Sequence, residues 1–117
     1  MNLRDFDTNL GRFFEDYAVG DIISHATPRT LTEADASLYT SIYPTRFALQ
    51  SSKEFAKSCG LQDRPLDDLI VFHTVFGKTV PDISINAVAN LGYAEGRFLS
   101  TVFSGDTFCL LYTSDAA

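Results

Sequence analysis

Residues 22–31 read Ile22-Ile23-Ser24-His25-Ala26-Thr27-Pro28-Arg29-Thr30-Leu31, a stretch that predicts a first strand after the Gly20-Asp21 turn. Pro28 near its end predicts an edge or a bulge, because proline has no N–H to donate to a ladder. Thr32-Glu33-Ala34-Asp35 then carries a helix start, with Thr32 as N-cap and Asp35 at the third helical position. The helix it opens places Leu38 and Ile42 on one face and ends before Pro44. A second short helix is predicted from Ser51 or Ser52 to Cys59, with Gly60 as its left-handed stop. The third is the longest. Asp67-Asp68 puts two carboxylates where the helix dipole favours negative charge, and Leu69 to Val80 is apolar nearly all round, the pattern of a buried helix. Pro81-Asp82 is expected to end it.

Beyond that helix the period changes to two. Ile85, Ala87, Ala89, Leu91 and Tyr93 share one face of a predicted strand over 84–93, and 97–103 predicts another. Ser104-Gly105-Asp106-Thr107 is a tight turn toward a fourth strand that the remaining residues are not expected to supply. A long helix with antiparallel strands is an α+β arrangement, and periodicity supports nothing finer.

Composition narrows the function. The 117 residues suit one small domain, with 45% hydrophobic and 13% aromatic residues. A formal charge of −6 argues against a nucleic-acid or anionic-membrane partner, both of which want clustered Lys and Arg. No window approaches the roughly 18 apolar residues of a membrane span. The acidic opening, Met1-Asn2-Leu3-Arg4-Asp5, is unlike a secretory signal, so a cytoplasmic location is the expectation. Cys59 and Cys109 make neither a disulfide framework nor a metal site. Gly92-x-x-x-Gly96 carries no nucleotide-binding signal, and no motif asks for a cofactor.

Two blocks carry a resemblance. Phe14-Glu15-Asp16-Tyr17-Ala18-Val19-Gly20-Asp21 followed by Arg29-Thr30-Leu31-Thr32-Glu33-Ala34-Asp35 resembles the opening of the MaoC-like hotdog hydratases. A third block, Arg97-Phe98-Leu99 through Gly105-Asp106-Thr107, is similar to that family's approach to a hairpin turn. The resemblance implies a hotdog fold, a central helix wrapped by a curved antiparallel sheet, here incomplete with its C-terminal strands missing. Residues 67–82 and 86–94 resemble the N-terminal half of a member with two hotdogs in one chain. The implied organisation is a loose arm over 1–12, a partial N-terminal hotdog domain over 13–108, and a foreign tail over 109–117. The tail, Cys109-Leu110-Leu111-Tyr112-Thr113-Ser114-Asp115-Ala116-Ala117, resembles no part of the family. It reads as the translation of a transposase-library sequencing adapter, TGT CTC TTA TAC ACA TCT GAC GCT GCC; the alternative is a real C-terminal strand, since Phe108-Cys109-Leu110-Leu111-Tyr112 is apolar enough to be one.

The family's implied activity is addition or removal of water on an acyl-CoA thioester, with a second hotdog half or a homodimer as partner. That chemistry needs a base for the water's proton, an acid for the α-carbon, and donors for the enolate oxygen between. Family members place an Asp or Asn and a His about five residues apart before the central helix. An ungapped match on Phe55-Ala56 puts Thr45 and Gln50 at those positions, a match on Arg46 puts Ala48 at the His position, and neither Gln nor Ala exchanges a proton near neutral pH. No catalytic residue is therefore expected in this half. Two substrate-binding candidates remain. Arg46 has the planar fork that suits a carboxylate or phosphate, although an ion pair is the commoner role. His73 near the start of the central helix could shape an acyl pocket; a His hydrogen-bonded in the core is the commoner reading. His25 is expected to be exposed and incidental. A thioesterase would want an acid on the central helix, and 69–80 has none.

Overall fold

The computed structural model describes residues 11–25 and 27–113. The expected arm over 1–12 falls almost wholly outside that range, as do the last four residues of the expected tail.

The opening motif is a series of local turns closed by its own acids. Asp16 accepts from the Phe13 N–H at 2.8 Å around a 3₁₀ turn at Phe14–Asp16, and Asp21 accepts from the Ala18 N–H at 2.9 Å. Gly20 sits between them at φ +91°, a backbone angle that suits glycine.

The predicted first strand is two short ones, β1 (Ile22–Ser24) and β2 (Arg29–Thr30). Their partners correct the expectation that no fourth strand would form. β3 (Thr107–Phe108) pairs antiparallel with β2, and β4 (Leu111–Thr113) pairs antiparallel with β1. Four residues separate β1 from β2, but only two separate β3 from β4. The first strand therefore bulges at Thr27-Pro28, where proline cannot donate. An offset of two leaves the in–out alternation intact on both sides of the bulge. The ladder continues past β2, with the Leu31 N–H donating to Asp106 O at 3.0 Å and the Gly105 N–H to Leu31 O at 2.8 Å.

Helix α1 (Glu33–Ile42) starts as predicted: Thr32 accepts from the Asp35 N–H, and Asp35 accepts from the Thr32 N–H at 2.9 Å. Leu38 and Ile42, however, face solvent; Ala36 is the buried residue, and Tyr39 packs against the core. The predicted second helix forms as α3 (Lys53–Ser58), and a short turn of helix that was not predicted, α2 (Ala48–Ser51), precedes it. Ser52 breaks them and caps α3 through the Phe55 N–H at 3.2 Å, and Gly60 follows at φ +88°.

Helix α4 (Asp68–Ile83) is the long one, N-capped by Asp67 through the Leu69 N–H at 2.8 Å. It runs through Pro81 rather than stopping there. The ring removes the bond to Gly77 O alone, and the Ser84 N–H still reaches Val80 O at 3.0 Å. Nor is α4 buried on all sides: Ile70 and Val71 are buried, while Leu69 is 54% exposed. The described core is small, with Leu31, Ala36, Leu66, Ile70 and Val71 in contact and Tyr39, Val75, Val102 and Phe108 packed against it.

The largest correction concerns 84–103. Neither predicted strand forms there. A turn at 84–86 leads into extended, unpaired chain, in which Val88, Leu91 and Leu99 are 102%, 97% and 89% exposed. The alternating pattern gives a strand its faces but not its hydrogen-bond partner; among the described residues no strand pairs with this stretch, and Val102 O accepts singly from the Leu66 N–H at 2.8 Å. Tyr93 returns to the helix, edge-on to Phe72 and Phe76 at 5.1 and 5.4 Å, and Val102 packs against the core. Among the described residues no helix is long and apolar enough to cross a membrane.

Candidate functional site

The segment between α1 and α3 holds the positions where acid–base groups were sought. The Thr45 hydroxyl accepts from the Phe47 N–H at 3.1 Å and donates to Gln50 Oε1 at 3.3 Å. Arg64 holds the other end of Gln50, donating from Nη1 to its backbone oxygen at 3.2 Å while Nη2 pairs with Glu33. The two side chains thus meet, as a base and its orienting partner would, but they form a neutral hydroxyl–amide contact. Nothing in it takes up or releases a proton.

Gln50 lines a cleft of about 280 Å³ between this segment, the start of α4 and the chain at 98–101. Leu66 and Phe98 form apolar walls, with Ser100 and Thr101 at the edge. Asp68 is its one titratable lining residue. It lies in the first turn of α4, and no base lines the cleft with it. The described lining can bind; it has no acid–base couple with which to hydrate.

Neither candidate binding residue lines this cleft. Arg46 is exposed and enters no salt bridge among the described residues, so the commoner ion-pair role is not seen. His73 is exposed on α4 rather than hydrogen-bonded in the core; its ring stands edge-on to Phe72 at 5.7 Å. The structure does not bring the two together in one pocket.

His25 reverses its expectation. It is buried, and Nδ1 lies 2.7 Å from Asp82 Oδ2 in the last turn of α4. Strand alternation held the signal for burial, since His25 shares the inward face of Ile23 while Ile22 and Ser24 are exposed. The partner, 57 residues away, left no trace in the spacing. No group of three or more His, Cys, Asp or Glu side chains could hold a metal ion among the described residues, and both cysteines are free and exposed.

No protein-family model matches the chain. Sequence and fold comparisons do. A solved structure of a MaoC domain protein dehydratase from Chloroflexus aurantiacus superposes with a TM-score of 0.83 at 62% identity, covering 86% of this chain and 29% of that one. A monoamine oxidase regulatory protein from Archaeoglobus superposes with a TM-score of 0.72 at 26% identity, covering 86% of this chain and 69% of that one. By fold and sequence the chain is similar, over 86% of its own length, to MaoC-like dehydratases of the hotdog fold.

Within that class the chain is homologous to the N-terminal part of mesaconyl-CoA hydratase, also called β-methylmalyl-CoA dehydratase. It is 64% identical over 100 residues to the mesaconyl-CoA hydratase of Cereibacter sphaeroides, and 65% identical over 100 residues to the β-methylmalyl-CoA dehydratase of Chloroflexus aurantiacus. Those matches cover 86% of this chain but only 29% and 28% of the two relatives, so the chain spans under a third of their length.

Proposed function

We propose that the chain is the N-terminal hotdog portion of an acyl-CoA hydro-lyase that interconverts mesaconyl-CoA and β-methylmalyl-CoA, with its acid–base pair in the C-terminal part. One observation carries the reading. Thr45 and Gln50 stand in contact at the positions where an acid–base pair belongs, and neither titrates. With the lining acid alone in its cleft, this lobe supplies packing and a wall for the thioester. A lobe with its own couple supplies the proton chemistry.

The remaining assignments follow from that reading. Arg46, exposed and without an ion pair among the described residues, offers its fork to the substrate's free carboxylate or to a CoA phosphate. His73 faces the acyl group from α4. The partner is a second hotdog, in the same chain or as a homodimer, and the location is cytoplasmic. Residues 109–117 are the translated adapter. The pairing of Leu111–Thr113 with β1 fits that origin as well as any other, because a ladder asks of its partner only backbone groups and alternation.

A non-catalytic hotdog that binds acyl groups or pairs with a partner is the second reading, favoured by the bare apolar chain at 88–99. Mesaconyl-CoA hydration, followed by loss of enoyl-thioester absorbance, separates the two. The 117-residue chain is expected to show no turnover, and a version whose reading frame continues into the C-terminal part is expected to show it. Turnover by the short chain, or none by the long one, overturns the reading.

A further inference from the structure

The cleft lined by Gln50 suits one part of an acyl-CoA and not the others. At about 280 Å³ it lies just under the usual range of small-molecule sites, so it holds a piece of such a substrate rather than the whole. Charge decides which piece. Asp68 carries the one formal charge in the lining, and no Lys, Arg or His stands with it to receive an anion. That disfavours the phosphates of the nucleotide and the carboxylate of a mesaconyl group, because like charges repel, the more so beside apolar walls. Arg46 and Arg97 adjoin the lining residues Phe47 and Phe98 in the chain without lining the cleft themselves, which leaves the charged ends of a substrate outside it. What remains is the pantetheine arm, an uncharged chain with amides, a hydroxyl and a branched dimethyl carbon.

The cleft matches those groups one by one. Leu66 and Phe98 offer apolar surface to the dimethyl carbon. Gln50 Oε1 is taken by the Thr45 hydroxyl and the Gln50 backbone oxygen by Arg64, but Nε2 donates to nothing among the described residues. Residues 98–101 form a further wall, and none of their backbone N–H or C=O groups is bonded among the described residues. Free groups of this kind are what an amide chain pairs with. The wall is still fixed at its end, since the Leu66 N–H donates to Val102 O at 2.8 Å and Val102 packs against the core. Every lining residue falls between 47 and 101, so the tail over 109–117 contributes nothing.

We propose that this cleft receives the pantetheine arm of the thioester, with Gln50 Nε2 donating to an arm carbonyl and the open backbone of 98–101 pairing with the arm amides. The inference rests on the acyl-CoA reading and adds which part of the substrate this lobe holds.

Magnetic resonance titration of the 117-residue chain tests it, with pantetheine, adenosine diphosphate and mesaconate as separate probes. Pantetheine is expected to saturate and to shift the Gln50 side-chain amide together with the Ser100 and Thr101 backbone amides. The two anions are expected to leave those signals in place. Gln50→Glu keeps an oxygen for the Thr45 hydroxyl but loses the donor, and is expected to weaken pantetheine about fivefold, the scale of one hydrogen bond. Thr45→Val breaks the contact at Oε1 yet keeps Nε2, and is expected to change the affinity by less than about twofold, because Arg64 still holds the Gln50 backbone. The Tyr43 N–H, bonded to Tyr39 O in α1, reports that each variant is folded. No saturable shift with pantetheine, either anion moving the same signals, equal weakening by the two substitutions, or a blocked tetra-alanine peptide binding as tightly as pantetheine would each overturn the proposal. Mesaconyl-CoA turnover by the longer version tests the reaction separately. Its absence would leave pantetheine binding standing, and turnover without that binding would remove the cleft's role alone.

Discussion

The Thr45 hydroxyl and the Gln50 amide oxygen meet at 3.3 Å, five residues apart in the chain. The contact is structural. Thr45→Val deletes a donor to Gln50 and an acceptor for the Phe47 N–H together, and is expected to cost about 1 kcal/mol. For a domain of this size that lowers the melting temperature by roughly 4–8 °C, measurable by circular dichroism. No change would mean that the pair does not hold the segment.

Acid should weaken the start of α1 through a specific carboxylate. Asp35 is held below its ordinary pKa of 3.8, first by the Thr32 backbone N–H and then by the Thr32 hydroxyl, with Arg29 at 2.8 Å adding to both. A lowered folded-state pKa contributes stability that is complete above 3.8 and is lost as pH falls through the lower folded value. Asp35→Asn is therefore expected to flatten the acid limb of the stability curve below about pH 4, with the difference from wild type greatest at neutral pH. Urea unfolding at a series of pH values checks it. Parallel curves would be the contrary result.

Leu31 is fully buried at the junction of β2, the Gly105 turn and α4. Leu31→Ala removes the central side chain of a small core, at a cost of about 2–5 kcal/mol. Domains rarely hold more than about 5–15 kcal/mol in reserve, and this core is slight. The expected outcome is a loss of cooperative unfolding, read from the sharpness of the urea transition.

The exposed chain at 85–99 should make the protein sticky. Val88 and Leu91 have no cover among the described residues, and contiguous apolar surface of this kind drives association. Replacing both with Lys is expected to lower binding of a hydrophobic dye and shift sedimentation toward monomer, with helix content unchanged. Persistent association after the change would place the contact elsewhere.

Much of this was written locally. The Thr32–Asp35 box, the Asp67 cap, the Gly60 stop, the bulge at Pro28 and the lack of a titrating couple at 45–50 each depend on residues within a few positions of one another. Chemistry and short-range geometry decide them, so the sequence alone determined them. Tertiary structure decided the rest. Alternation at 84–103 marked chain able to form strands, but a strand exists only when another backbone offers a ladder of donors and acceptors, and the described residues offer no ladder there. The same rule worked in the opposite direction for β4, which forms because β1 presents an open edge. It also set the fate of His25, whose inward direction was legible in the period of two. Asp82, the group it would meet there, came from 57 residues away, a distance in sequence that only folding closes.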